Sequence, residues 1–169
     1  LFRFFDDGRF GVGLQSEIVR KRDPENDLAL REDNDTLYRT AFLNLYADVW
    51  PDLGLQAGLK IGRFLAGDPG VRFELRRTYK HFTIGAWYTV TDTDVFDSAR
   101  NRGYQEKGVF IRIPFSIFND SDVRGAFSYA ITSFTQDAGQ TVSRPRSLYP
   151  LDNQDTPLET KLRLEEMRQ

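Results

Sequence analysis

The sequence of 169 residues contains no cysteine and a single histidine, His81. Without cysteine there is no disulfide framework and no thiolate metal site. One imidazole leaves little room for histidine-based catalysis or a histidine-rich metal centre. Lys plus Arg number 23 and Asp plus Glu 25, so no excess of positive charge points to nucleic acid. No apolar run reaches the roughly 18 residues a membrane helix needs. No segment reads as a signal peptide, and a chain that opens on Leu1 reads as a fragment or a processed product. The missing apolar run does not exclude a membrane, because strands that cross a bilayer alternate and keep the mean hydropathy low.

What the chain has instead is alternation. Aromatic residues make up 14% of it, with 14 Phe and 7 Tyr, a composition suited to strands. In "RFGVGLQSEIVRK" Phe10, Val12, Leu14 and Ile18 oppose Gly11, Gly13, Gln15 and Glu17. In "LYRTAFLNLYADVW" Leu37, Ala41, Leu43, Leu45, Ala47 and Val49 oppose Tyr38, Thr40, Phe42, Asn44, Tyr46, Asp48 and Trp50. The same period of two runs through "LGLQAGLKIGRFLA", "VRFELRRTYK", "FTIGAWYTV", "GVFIRIPFSIF" and "VRGAFSYAITSF". With the stub "LFRFF" this gives about eight strands. Most are longer than the roughly 5–6 residues of ordinary globular strands and near the roughly 9–11 that cross a bilayer.

The connections alternate too. "DDG", "PD", "YKH" and "NDSD" are short, and in an up-and-down meander they share one side. "RDPENDLALREDND", "GDPG", "TDTDVFDSARNRGYQE" and the segment after Phe134 share the other. Short turns on one side and longer loops on the other are the pattern of outer-membrane barrels, although a soluble barrel can also gather long loops at one mouth. The expected architecture is all-β: an antiparallel up-and-down transmembrane β-barrel, or part of one, over residues 1–150. Residues 151–169 form a tail. "TPLE" reads as a capping box opening a short amphipathic helix, while Leu158, Leu162 and Leu164 also alternate as in a strand.

"GRFLAGDPG" (62–70) joins two of these strands. Asp68-Pro69-Gly70-Val71 has the composition of a type II turn. A two-residue loop there would mix the apolar and polar faces of the two strands, because a slip of one residue exchanges them. Face parity calls instead for a loop of three or five residues, or a bulge near Gly62 or Gly67, pairing Leu65 with Phe73 and Arg63 with Leu75. Arg20, Arg39 and Arg63 interrupt the apolar faces at the long-loop end. They are candidates for an interface with lipid phosphate, because guanidinium groups bind phosphate bidentately. The plainer reading is that their stems snorkel at a barrel rim. Arg77 interrupts the opposite end.

The polar faces would line a lumen. Lys60, Arg72, Glu74, Arg76 and Arg112, with the aromatic surfaces of Trp87 and Tyr46, are candidate saccharide contacts: planar donors and acceptors meet hydroxyls, and rings meet C–H edges. The alternative is that paired Arg and Glu only neutralise a barrel interior. Nothing fixes a distance between Glu74 and Glu17 or Asp48, so no catalytic carboxylate pair is assigned. The acidic stretches lack calcium-loop spacing. No catalytic residue, metal site or cofactor is expected.

The pieces "GRFLAGDPGVRFELRRTY", "IGAWYTVTDT", "EKGVFIRIPFSIF" and "QDAGQTVSRPRSLY", in this order from about Gly54 to Tyr149, resemble the YjbH/GfcD-like family of outer-membrane exopolysaccharide (capsule) proteins. The resemblance implies a non-enzymatic barrel of the bacterial outer membrane that acts in export or assembly of exopolysaccharide or capsule. It also implies that this chain is a C-terminal portion of a longer protein. The family tends to have an Asn-Gly turn where this chain has Lys80-His81, and its glycine-rich loop is "SARNRGYQ" here. Expected partners are outer-membrane lipid (lipopolysaccharide), exopolysaccharide and other subunits of an export complex. The runner-up is a soluble or periplasmic β-barrel that binds a small sugar or apolar ligand.

Overall fold

The computed structural model describes residues 1–19, 38–79, 82–92, 105–115, 126–133 and 138–142. The expected tail helix, Arg20, His81 and the "NDSD" turn lie outside these residues. Eight strands form one antiparallel sheet in sequence order: β1 (Phe2–Phe5), β2 (Phe10–Val19), β3 (Tyr38–Trp50), β4 (Leu55–Arg63), β5 (Pro69–Tyr79), β6 (Phe82–Thr91), β7 (Lys107–Pro114) and β8 (Ala126–Thr132). Each strand pairs with its neighbours in sequence. Among the described residues no pairing joins β8 to β1, so the structure shows an open eight-stranded meander and not the expected closed barrel.

Residues 6–9, 51–54 and 80–81 connect strands at one end of the sheet; 20–37, 64–68 and 92–106 connect them at the other. At the first end, Pro51–Leu53 make a single helical turn that Gly54 closes with φ of 63°. A Cβ on Gly54 would run into the Thr78 carbonyl, so glycine is needed there for space as well as for φ.

The β4–β5 connection has the expected five residues, Phe64–Asp68, but not the expected pairs. Arg63 faces Pro69, and Leu75 faces Ala57. The parity argument fixes odd against even and leaves the register free to shift by steps of two. The type II turn is also absent, because Pro69 and Gly70 already belong to β5. The reversal is made by Gly67 N–H donating to the Phe64 carbonyl (3.0 Å) and Phe64 N–H donating to the Asp68 carbonyl (2.9 Å). Leu65 therefore lies in the turn and not on the apolar face of β4. Phe64 is fully buried, edge-on to Phe42 with ring centroids 5.0 Å apart. A second departure is a bulge between Asp48 and Trp50, which turns Trp50 away from the polar face expected for it. Val49 and Trp50 are both more than half exposed.

The two faces of the sheet reverse the usual order of a soluble protein. From β2 to β6 the polar face is largely covered: Gln56 and Thr89 are 0% exposed, and Lys60 and Arg76 3%. β8, by contrast, is open on both faces. The apolar face is open: Leu14 is 62% exposed, Ile18 68%, Phe73 54% and Ile131 60%. Every glycine within the strands, namely Gly11, Gly13, Gly58, Gly62, Gly70, Gly85 and Gly108, falls on the covered face. Rings lie over several of them. A Cβ on Gly85 would meet the Phe110 ring at 2.5 Å, one on Gly11 would meet the Phe2 ring at the same distance, and one on Gly108 would overlap Trp87. Removing side chains from one face lets strands bend toward it, with an aromatic ring on the next strand filling the gap.

Candidate functional site

The covered polar face (inward, with the apolar face outward) carries two hydrogen-bonded clusters. The first surrounds Glu106, one residue before β7 and 4% exposed. Its carboxylate accepts from Arg72 Nη2 at 2.6 Å, from Trp87 Nε1 at 2.7 Å to each oxygen, and from the Thr89 and Thr132 hydroxyls at 3.0 Å. Arg72 Nε also donates to Thr89 Oγ1 (3.0 Å), and its guanidinium carbon lies 5.9 Å from the Trp87 ring centroid. Donors from β5, β6 and β8 thus converge on one carboxylate. A carboxylate offers about four acceptor sites, and these contacts use them. The geometry suits a structural anion better than a proton-transfer group.

This cluster continues into the segment 138–142. Arg72 Nη2 donates to the Gly139 carbonyl (3.2 Å). Gly139 N–H donates to Asp68 Oδ2 (2.8 Å), and Leu65 N–H donates to the Gln140 carbonyl (3.0 Å). The β4–β5 turn and a segment about 70 residues later in the chain are therefore locked together, as the Asp68–Gly139 separation of 71 shows. Burial raises the pKa of Asp68 above its ordinary 3.8; the Gly139 N–H offsets this only in part.

The second cluster lies nearer the short-turn end. Gln56 Nε2 donates to Tyr46 Oη (2.9 Å), Arg76 Nε donates to Gln56 Oε1 (2.6 Å), and the Thr78 and Thr83 hydroxyls are 3.2 Å apart. Asn44 donates to Gln15 (3.3 Å) and Thr40 to Glu17 (3.0 Å), which ties β3 to β2.

All seven residues expected on a polar lumen stand on the inward face. Arg72 and Trp87 meet through Glu106, and Tyr46 and Arg76 meet through Gln56. Lys60, opposite Asn44 and Arg72 in register, places its ammonium 5.7 Å from the Phe42 ring centroid. Glu74 lies between Gly58 and Trp87, and Arg112 lies between Thr83 and Ser128. Arg72, Glu74, Trp87 and Arg112 keep part of their surface open, while Lys60, Arg76 and Tyr46 are covered. Arg39 and Arg63 are exposed on the outward face, as expected.

Sequence reasoning missed Glu106, Asp68 and Gly139. Glu106 does carry a signal, since it shares the inward parity of Gly108, Phe110 and Arg112. Asp68 had been spent on a turn motif, and nothing local marks Gly139 as its partner.

The two interlocked pieces, "GRFLAGDPGVRFELRRTY" and "QDAGQTVSRPRSLY", are among those that carried the family resemblance. The profile of the YjbH family, described as "Exopolysaccharide biosynthesis protein YbjH", matches residues 1–153. The chain belongs to the YjbH family. The match begins at Leu1, well before the Gly54 from which the resemblance was read, so β1, β2 and β3 are part of the YjbH pattern. A curated relative, "Uncharacterized lipoprotein YjbH" of Escherichia coli (strain K12), is 26% identical over 148 residues. That alignment takes in 86% of this chain and 21% of the relative, so the chain spans about a fifth of the length of the curated protein it matches. No solved structure matches the chain.

Proposed function

We propose that this chain is a membrane-embedded part of a bacterial outer-membrane β-barrel that takes part in export or assembly of exopolysaccharide or capsule, without enzymatic activity of its own. The observation that carries the reading is the reversal of the two faces: the polar face is covered and the apolar face is open. Water would penalise so large an exposed apolar surface, whereas the hydrocarbon of a bilayer accommodates it. Aromatic residues at the short-turn end, Phe5, Phe10, Trp50, Tyr79 and Phe82, are exposed at the edge of that surface, where barrels carry an interfacial girdle. The family supplies the link to exopolysaccharide biosynthesis.

In this reading the sugar-facing groups are Arg72, Glu74, Trp87 and Arg112. Lys60, Arg76 and Tyr46 brace the wall behind them. A soluble barrel binding a small sugar or apolar ligand would present the opposite arrangement of faces. The test is detergent dependence. The protein should fold only with detergent or lipid and show heat-modifiable migration on a gel. A chain that stays folded and monodisperse in plain buffer would overturn the membrane reading.

A further inference from the structure

The geometry points to a phosphate-binding belt on the outward face, formed by Arg39, Arg63 and Lys107 and fitted to a phosphorylated glycolipid of the outer leaflet. This inference rests on the membrane reading above. Its starting point is a segregation of charge. Within the described strands every outward-facing charge is a cation: Arg3, Arg39, Arg63, Arg77 and Lys107. Every carboxylate in those strands, Glu17, Asp48 and Glu74, faces inward. A surface that only needed solubility would mix the signs.

The cations fall at two levels. Arg63 pairs with Pro69, and Leu55 with Arg77, so Arg63 and Arg77 sit at opposite ends of the β4–β5 ladder. They are eight residues apart along it (63 − 55), or about 26 Å at about 3.3 Å per residue. With strands tilted by roughly 40° that becomes about 20 Å of height, comparable with the roughly 25 Å apolar band of an outer-membrane barrel once long stems snorkel outward.

Arg39, Arg63 and Lys107 share the upper level once strand stagger is counted. Ala41 pairs with Arg63, so Arg39 lies two residues nearer the loops. Lys107 pairs with Tyr88, Tyr88 with Phe73 and Phe73 with Leu59, which is four residues before Arg63. Arg39 is one strand to one side of Arg63 and Lys107 three strands to the other. The displacement keeps one sign and amounts to six residues over four strands, the kind of stagger that tilted barrel strands require. Asp92, an exposed carboxylate just past β6, donates its N–H to the Pro69 carbonyl (2.9 Å) and so stands on the rung of Arg63 two strands away; with the same stagger counted it lies on the loop side of this level.

The two levels also differ in how their cations are engaged. At the lower level Arg3 lies over the Phe5 ring (5.4 Å), and Arg77 lies over the Tyr79 ring (5.8 Å) and donates to the Leu53 carbonyl (3.3 Å). At the upper level the head groups of Arg39, Arg63 and Lys107 meet no carboxylate, carbonyl or ring among the described residues. Two guanidiniums on adjacent strands and an ammonium are thus left facing outward at the height of lipid head groups. Their chemistry suits a phosphate monoester, which two forked guanidiniums can bridge.

The test uses the intact protein in mild detergent, with adducts counted by native mass spectrometry. The probes are bisphosphorylated lipid A and the same lipid after dephosphorylation. Lipid A retention should fall about tenfold in the Arg39→Gln, Arg63→Gln, Lys107→Gln triple variant, a loss of the order expected from charge-assisted hydrogen bonds. It should hold in the Arg3→Gln, Arg77→Gln control, and wild type should retain dephosphorylated lipid as poorly as the triple variant retains lipid A. Undiminished lipid A binding by the triple variant overturns the inference, as does displacement of lipid A by millimolar inorganic phosphate. Should the triple variant lose heat-modifiable migration, Arg63→Gln alone decides, and full retention by it counts against the belt. A protein that inserts yet takes up both lipids equally overturns the belt alone, whereas one that is folded in plain buffer overturns the membrane reading with it.

Discussion

The inward and outward faces of the sheet treat charge in opposite ways. Inside, both signs are present and the polar groups satisfy one another: Arg72 meets the Glu106 carboxylate, and Arg76 the neutral Gln56–Tyr46 pair. Outside, the described strands carry only cations, they sit near strand ends, and the middle of the face is apolar. A buried polar face must satisfy itself, because each unpaired group costs its full desolvation. An outward face is satisfied by whatever surrounds it. The contrast therefore shows which face the chain completes alone and which relies on its surroundings.

Three substitutions test that contrast. The largest effect is expected inside. Glu106→Gln leaves Arg72, which keeps some contact with solvent, without its largely buried anion and should cost about 3 kcal/mol, the low end for a broken buried pair, read as a lowered urea midpoint in detergent. The next tests the outside. Phe73→Arg puts a cation in the middle of the apolar face and should cost about 2–4 kcal/mol for folding into lipid vesicles. A change near zero in vesicles would mean that this face does not meet hydrocarbon. The smallest effect concerns Asp68, buried in the β4–β5 turn. Its raised pKa means the folded state holds the proton more tightly than the unfolded chain does. Stability from this group is therefore full below about pH 3.8 and is lost as pH rises through the raised folded value. Asp68→Asn keeps an oxygen acceptor for Gly139 N–H and removes the charge. The variant should lose that part of the pH slope and be no less stable than wild type at pH 7, as a pair of denaturation series from pH 3.5 to 7 would reveal.

Much of the fold was legible because a two-residue period is a local property. Leu43 and Asn44 announce their faces from sequence alone, and the face parity of β4 and β5 correctly demanded an odd loop. What was not legible depends on events that leave no periodic trace. The bulge at Asp48/Trp50 inserts one residue and moves Trp50 to the other face, yet the sequence around it reads as unbroken alternation. The β4–β5 register shifted by an even number of residues, which face parity cannot detect. The inward face was likewise legible as a set: Lys60, Arg72, Glu74, Arg76, Trp87, Arg112 and Tyr46 all stand on it. Which members meet was not, because the hub Glu106 lies beyond a long connection and its donors come from three strands.

The lock between Asp68 and Gly139 bears on the order in which the chain assembles. Strand pairing in a meander asks each segment to find only its neighbour in sequence. The lock instead spans 71 residues, and its companion, Arg72 to the Gly139 carbonyl, spans 67. Closing so long a loop has the higher entropic cost unless the strands between are already laid down. On a chain that grows its sheet strand by strand, this contact registers completion: it becomes available only after β5, β6, β7 and β8 are in place.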